Sequence, residues 1–144
     1  MVWQVKNALV LVLLVILGLL PGGCAGNSGE VKAALGQQFS LSPGQSAVIT
    51  GEELKIKFEG VLEDSRCPRN VVCIWEGRVR YVVQVTADGS LARVELTEPG
   101  LTDQPVQLTF GSYRLTFHIE PYPEEGKDIA DEEYRLLSSV EKLR

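Results

Sequence analysis

Hydrophobic and polar residues alternate along most of the chain from Gly36 onward. A period of two is the signature of strands with one packed and one wet face. The segment Tyr113 to Glu120 alternates without exception, with Tyr113, Leu115, Phe117 and Ile119 on one side and Arg114, Thr116, His118 and Glu120 on the other. Between Leu54 and Glu63 the apolar side carries Leu54, Ile56, Phe58 and Leu62, opposite Lys55, Lys57, Glu59 and Glu63. A third run, Trp75 to Ala87, puts Trp75, Val79, Tyr81, Val83 and Val85 on one face. Turn residues divide these runs. Ser42-Pro43-Gly44-Gln45 separates Phe39-Ser40-Leu41 from Ala47-Val48-Ile49, and Gly111-Ser112 joins Val106–Phe110 to the Tyr113 strand. Asp88-Gly89 ahead of Leu91–Leu96 is a hairpin signal, because both turn positions tolerate positive φ. Glu98-Pro99-Gly100 ends that run. The segment Glu132 to Lys142 fits two patterns: Tyr134, Leu136 and Val140 on a strand face, or Leu136, Leu137, Val140 and Leu143 on a helix. Its all-β surroundings favour the strand.

About seven or eight short strands with no interior helix predict an all-β domain over residues 37–144, an antiparallel β-sandwich with Greek-key-like connections. An antibody-type domain is excluded by spacing. Its bridging cysteines come from distant strands, whereas Cys67 and Cys73 are only six positions apart.

The first residues follow a different rule. From Ala8 to Leu20 no side chain is charged, Lys6 precedes the run and Pro21-Gly22-Gly23 follows it. As a helix the run would span ~20 Å at ~1.5 Å per residue, short of the ~30 Å hydrocarbon core, so it reads as a signal-peptide core. The stretch LLPGGC resembles a bacterial lipoprotein lipobox, in which the chain is cut before the cysteine and lipid joins its sulfur. That resemblance implies a signal peptide over 1–23, lipidation at Cys24 and a flexible tether over 24–36. Pro21 stands where the lipobox usually has an aliphatic residue, and ordinary cleavage after Ala25 is the alternative. Cysteine parity fits the lipid. Of three cysteines one must be left over from pairing; assigning Cys24 to lipid leaves Cys67 and Cys73 as a disulfide in a compartment that permits it.

Composition narrows function mainly by exclusion. A net charge of −5 and a pI near 4.9 argue against nucleic acid, whose phosphates need a basic face. One His and no Cys/His cluster leave little for a transition metal, so no cofactor is expected. With 144 residues there is room for one domain and no separate cofactor domain.

The distinctive string is DSRCPRNVVCIWEG, Asp64 to Gly77. Cys67 and Cys73 close a connection between two strands, and Trp75 shares the strand parity of Cys73, which predicts that it packs in the core. The pattern DSRCPxxVxCIWxG resembles the motif of a family of small exported bacterial proteins, often lipid-anchored and of uncharacterised function. The matching residues are Asp64, Ser65, Arg66, Cys67, Pro68, Val71, Cys73, Ile74, Trp75 and Gly77, while Glu76 replaces a small residue such as Ala. A weaker likeness runs through the flanking strands from Phe39 and from Tyr122-Pro123 to Tyr134. The resemblance implies location and fold and carries no activity.

Three functions are compatible with these features. The first is a non-enzymatic module held at the cell envelope by the Cys24 lipid, binding an envelope protein or serving as structure. The second is an extracytoplasmic protease inhibitor, with Arg66, Pro68, Arg69 and Asn70 as the recognition loop. The third is an enzyme with an unrecognised carboxylate or metal site, drawing on acidic pairs such as Glu124-Glu125. No nucleophile elbow or nucleotide-binding glycine pattern supports the third, and His118 reads as a solvated strand residue.

Overall fold

The computed structural model describes residues 29–144 except Asp103. The expected signal peptide and the lipidation site at Cys24 lie outside the described residues. Nine strands form: β1 Val31–Ala33, β2 Phe39–Leu41, β3 Ser46–Ile49, β4 Leu54–Asp64, β5 Arg78–Ala87, β6 Ser90–Pro99, β7 Val106–Phe110, β8 Tyr113–Glu120 and β9 Arg135–Lys142. They build a five-stranded sheet, β1-β3-β4-β5-β6, and a four-stranded sheet, β2-β9-β8-β7. Neighbours are antiparallel except β1 beside β3. Two meanders, β4-β5-β6 and β7-β8-β9, thus face each other. β2 lies beside β9 across a long connection, giving the second sheet its Greek-key-like order.

The predicted β-sandwich is the observed fold. Its core is one cluster in which Leu54, Ile56, Phe58, Tyr81, Val83 and Val85 of the first sheet meet Leu115, Phe117, Ile119, Leu136 and Val140 of the second. Alternation on β8 holds as read, and the C-terminal segment is the strand β9, with Tyr134, Leu136 and Val140 buried. Asp88 (φ 49°) and Gly89 (φ 75°) make the hairpin turn between paired Ala87 and Ser90.

Three expectations change. The tether is shorter than the 24–36 span, because Val31–Ala33 joins the sheet through Val31↔Ala47 and Ala33 is buried. The Leu62 position fails because β4 carries two irregularities, between Phe58 and Gly60 and between Val61 and Glu63. Each extra residue reverses the alternation. Val61 therefore packs against the core, Leu62 is 54% exposed, and Asp64 pairs with Val79 on the inward side. Trp75 does not pack in the core: β5 begins only at Arg78, Gly77 breaks the extended chain at φ 69°, and Trp75 is 74% exposed.

The sandwich has two unlike ends. At one, β3–β4, β5–β6 and β7–β8 turn back through residues 50–53, 88–89 and 111–112. At the other stand the longer connections 65–77, 100–105 and 121–134.

Candidate functional site

The cysteine string occupies the long-loop end. Cys67 and Cys73 are disulfide-bonded, with Cα atoms 6.0 Å apart. The β4–β5 ladder runs on into the loop, as Ser65 N–H donates to Arg78 O (2.8 Å) and Cys67 N–H to Glu76 O (2.9 Å). Two glycines permit this close stacking. A Cβ on Gly77 would lie 1.8 Å from the Ser65 carbonyl oxygen, and one on Gly100 would lie 1.9 Å from that of Glu76. Gly100 N–H also donates to Gly77 O at 2.9 Å, tying in the β6–β7 connection.

Beneath the loop lies a buried polar base. Arg66 Nε and Nη2 donate to the two Asp64 carboxylate oxygens at 2.8 and 2.6 Å, with side chains only 2% and 7% exposed. The same guanidinium donates to Ile119 O (3.1 Å) and Pro121 O (3.0 Å), crossing to the opposite sheet. A planar fork with several fixed donors suits such multiple bonding, which Lys could not reproduce. Tyr134 O–H adds a bond to Asp64 Oδ2 at 3.2 Å, and burial, followed by the Asp64 charge, pushes its phenol up to about 12.

A second carboxylate completes the base. Glu98 accepts from Tyr81 O–H (2.6 Å) on one oxygen and from Ile119 N–H (3.3 Å) on the other, with His118 Nδ1 3.0 Å from the latter. Burial, then the Glu98 charge, raises the Tyr81 phenol well above its ordinary range. Ile119 thus links the two clusters, its carbonyl accepting from the Arg66 guanidinium and its amide donating to the Glu98 carboxylate. Glu98 was not foreseen in the sequence, although it continues the inward face of Ala92, Val94 and Leu96. Its partners come from β5 and β8, which no local pattern couples. His118 is correspondingly not a solvated strand residue, since its side chain is 23% exposed and engaged by Glu98.

The proposed recognition residues separate. Arg66 is buried and 4% exposed, so it belongs to the base and not to the presented surface. Arg69 is exposed, but its guanidinium lies 5.1 Å from the Tyr122 ring centre, with Arg66 4.9 Å from the same ring. Its amide donates to Pro123 O at 3.0 Å. Pro68 is half-buried, and Asn70 takes φ 69° at the turn. Tyr122 O–H donates to Cys67 O and accepts from Leu101 N–H, both at 3.0 Å. The side chains that project freely are others: Val72 and Ile74 are fully exposed, Trp75 is 74% exposed, and Leu101 is 66% exposed at φ 59°. Positive φ is costly for Leu, and the Tyr122 hydroxyl is the contact that holds its amide there. Among the described residues no group of three or more His, Cys, Asp or Glu is placed to hold a metal ion.

In comparisons with known proteins, no family model, no curated protein and no solved structure matches the chain.

Proposed function

We propose that this chain is a non-enzymatic module, exported and held on the extracytoplasmic side of the bacterial envelope by lipid on Cys24, whose disulfide-closed loop is its contact element. One observation carries the reading: the loop is fastened from below by Arg66, Tyr122 and the disulfide, yet turns Val72, Ile74 and Trp75 outward. A loop with only a connecting role would gain from folding those side chains inward. Rigid fastening also reduces the ordering cost of a contact. The ionisable groups of the base support a non-catalytic role, because Asp64 and Glu98 already have both carboxylate oxygens bonded to protein groups. The inhibitor alternative draws no support from Arg69, whose guanidinium stacks on Tyr122.

The test is the intact mass of protein extracted from native membranes, with thiol alkylation before and after reduction. The expected result is a lipid-bearing chain beginning at Cys24, with two thiols that appear only on reduction. A chain without lipid would remove the anchor. Free thiols before reduction would remove the export argument as well.

A further inference from the structure

We infer that the partner of the loop is the lipid bilayer itself, with Val72, Ile74 and Trp75 entering the interfacial region of the membrane that holds the Cys24 lipid. This rests on the anchored reading above and names its partner. Direction comes first. β4 runs toward the loop end, β3 is antiparallel to β4, and β1 is parallel to β3. β1 therefore runs away from the loop end, and the chain preceding Val31 leaves the sheet heading toward it.

Reach decides the rest. Val31 stands level with Val85 through Ala47 and Ile56. From Val85 back to Val79 the strand covers ~20 Å, and the ladder continues past Arg78 to Glu76 for roughly another 7 to 10 Å. The chain from Cys24 to Val31, even fully extended, spans at most ~25 Å. Continued in the direction in which it leaves β1, the chain brings an anchor at Cys24 no farther than the level of the loop, so with this end toward the bilayer the apex meets the lipid. The end brought to the surface is the one bearing the apolar apex.

The chemistry of that apex suits the site. Trp favours the membrane–water interface, with its ring among the headgroups, and exposed aliphatic side chains beside it lose water there. Arg78, half-exposed at the start of β5 and 3.8 Å from Glu63, is the cation beside the apex that can reach a lipid phosphate, while Glu76 and the acidic 121–134 connection at the same end favour a zwitterionic over an anionic surface. Of the other exposed large apolar residues, Leu101 lies on the 100–105 connection at this same end, whereas Leu35, Leu62 and Leu91 stand singly elsewhere.

Trp75 is also the reporter. The chain has two Trp residues, Trp3 and Trp75, and cleavage before Cys24 removes the first. Full-length precursor is expressed, the membrane-extracted product is weighed intact, and it is reconstituted into phosphatidylcholine vesicles with or without brominated acyl chains. The expected outcome is a lipidated mass, a blue-shifted Trp75 emission on reconstitution, and its loss in brominated vesicles. The double variant V72S/I74S changes two fully exposed side chains, so it keeps its disulfide and melting temperature while most of the quenching disappears. A lipidated chain whose Trp75 remains solvent-like and unquenched overturns the inference and leaves the anchored reading standing. A blue shift without bromine quenching, rising with protein density, assigns the loop to a second copy and overturns it equally. An unlipidated mass overturns both readings.

Discussion

At one end of the sandwich the chain reverses through Asp88-Gly89 and Gly111-Ser112, while at the other it wanders through three longer connections before re-entering the sheets. The short-turn end is closed largely by residues close in sequence or at strand ends. Its main long-range clasp is Glu52, which accepts from Tyr113 O–H (2.7 Å) and Lys142 Nζ (2.8 Å). The long-loop end is held by groups remote in sequence: Arg66 to Ile119 and Pro121, Glu98 to Tyr81 and Ile119, and Tyr122 to Cys67. A short turn needs only residues that accept its dihedral angles. A long loop loses more chain entropy on ordering, and here buried ionic hydrogen bonds and a disulfide offset that loss. Once fastened in this way, it can keep apolar side chains in water instead of collapsing onto them.

Breaking the base should have the largest effect. Arg66→Ala leaves the buried Asp64 carboxylate without its cation and should cost about 3 to 5 kcal/mol, read as a lower denaturant midpoint. Replacing both partners by apolar residues, Asp64→Leu with Arg66→Met, should recover most of that loss. A double variant no more stable than Arg66→Ala would show that the carbonyl contacts of Arg66, not its pairing with Asp64, fasten the loop.

Alkaline pH probes the same base. Tyr134 rises from its ordinary 10.0 to about 12, so the folded chain holds that proton longer than the unfolded one. Its contribution is complete below about 10 and is lost as pH rises through about 12, on the order of 2 kcal/mol. Tyr81 shifts in the same direction. Denaturant melts across this window should show falling stability, with a smaller fall in Tyr134→Phe; an equal fall would place the alkaline sensitivity elsewhere.

Removing the staple with Cys67→Ser should cost about 2 kcal/mol, from the chain-entropy relation for a ring this short. At the opposite end, Tyr113→Phe deletes one bond to Glu52 while Lys142 keeps its own, and should cost about 1 kcal/mol. A loss there equal to that of Arg66→Ala would erase the contrast between the ends. The apex itself should be nearly silent: Ile74→Ser is expected within about 0.5 kcal/mol of the parent by thermal melt. A large loss would mean that the exposed apex is packed after all.

How much was legible depended on how local the determinant was. The β8 faces, the Asp88-Gly89 hairpin, β9 and the pairing of Cys67 with Cys73 could be read directly, since period, turn chemistry and cysteine parity act within a few residues. Leu62 was misassigned by carrying alternation across two irregularities, each of which shifts the phase by a residue, and Trp75 by carrying it past Gly77, where φ 69° breaks the extended chain. Val31–Ala33 resembled tether because three residues carry too little periodicity to announce a strand. Arg66 looked like a surface cation because its acceptors, the carbonyls of Ile119 and Pro121, lie more than fifty residues away.

The sequence alone determined the all-β class and the two buried faces, because side-chain period and turn dihedrals are properties of adjacent residues. The tertiary structure decided what the cysteine loop presents. Only when β4, β5, β6 and β8 converge do Arg66 and Glu98 acquire partners that allow their charges to be buried. That burial leaves Val72, Ile74 and Trp75 as the outward face, a result of long-range desolvation and hydrogen bonding that no run of neighbouring residues contains.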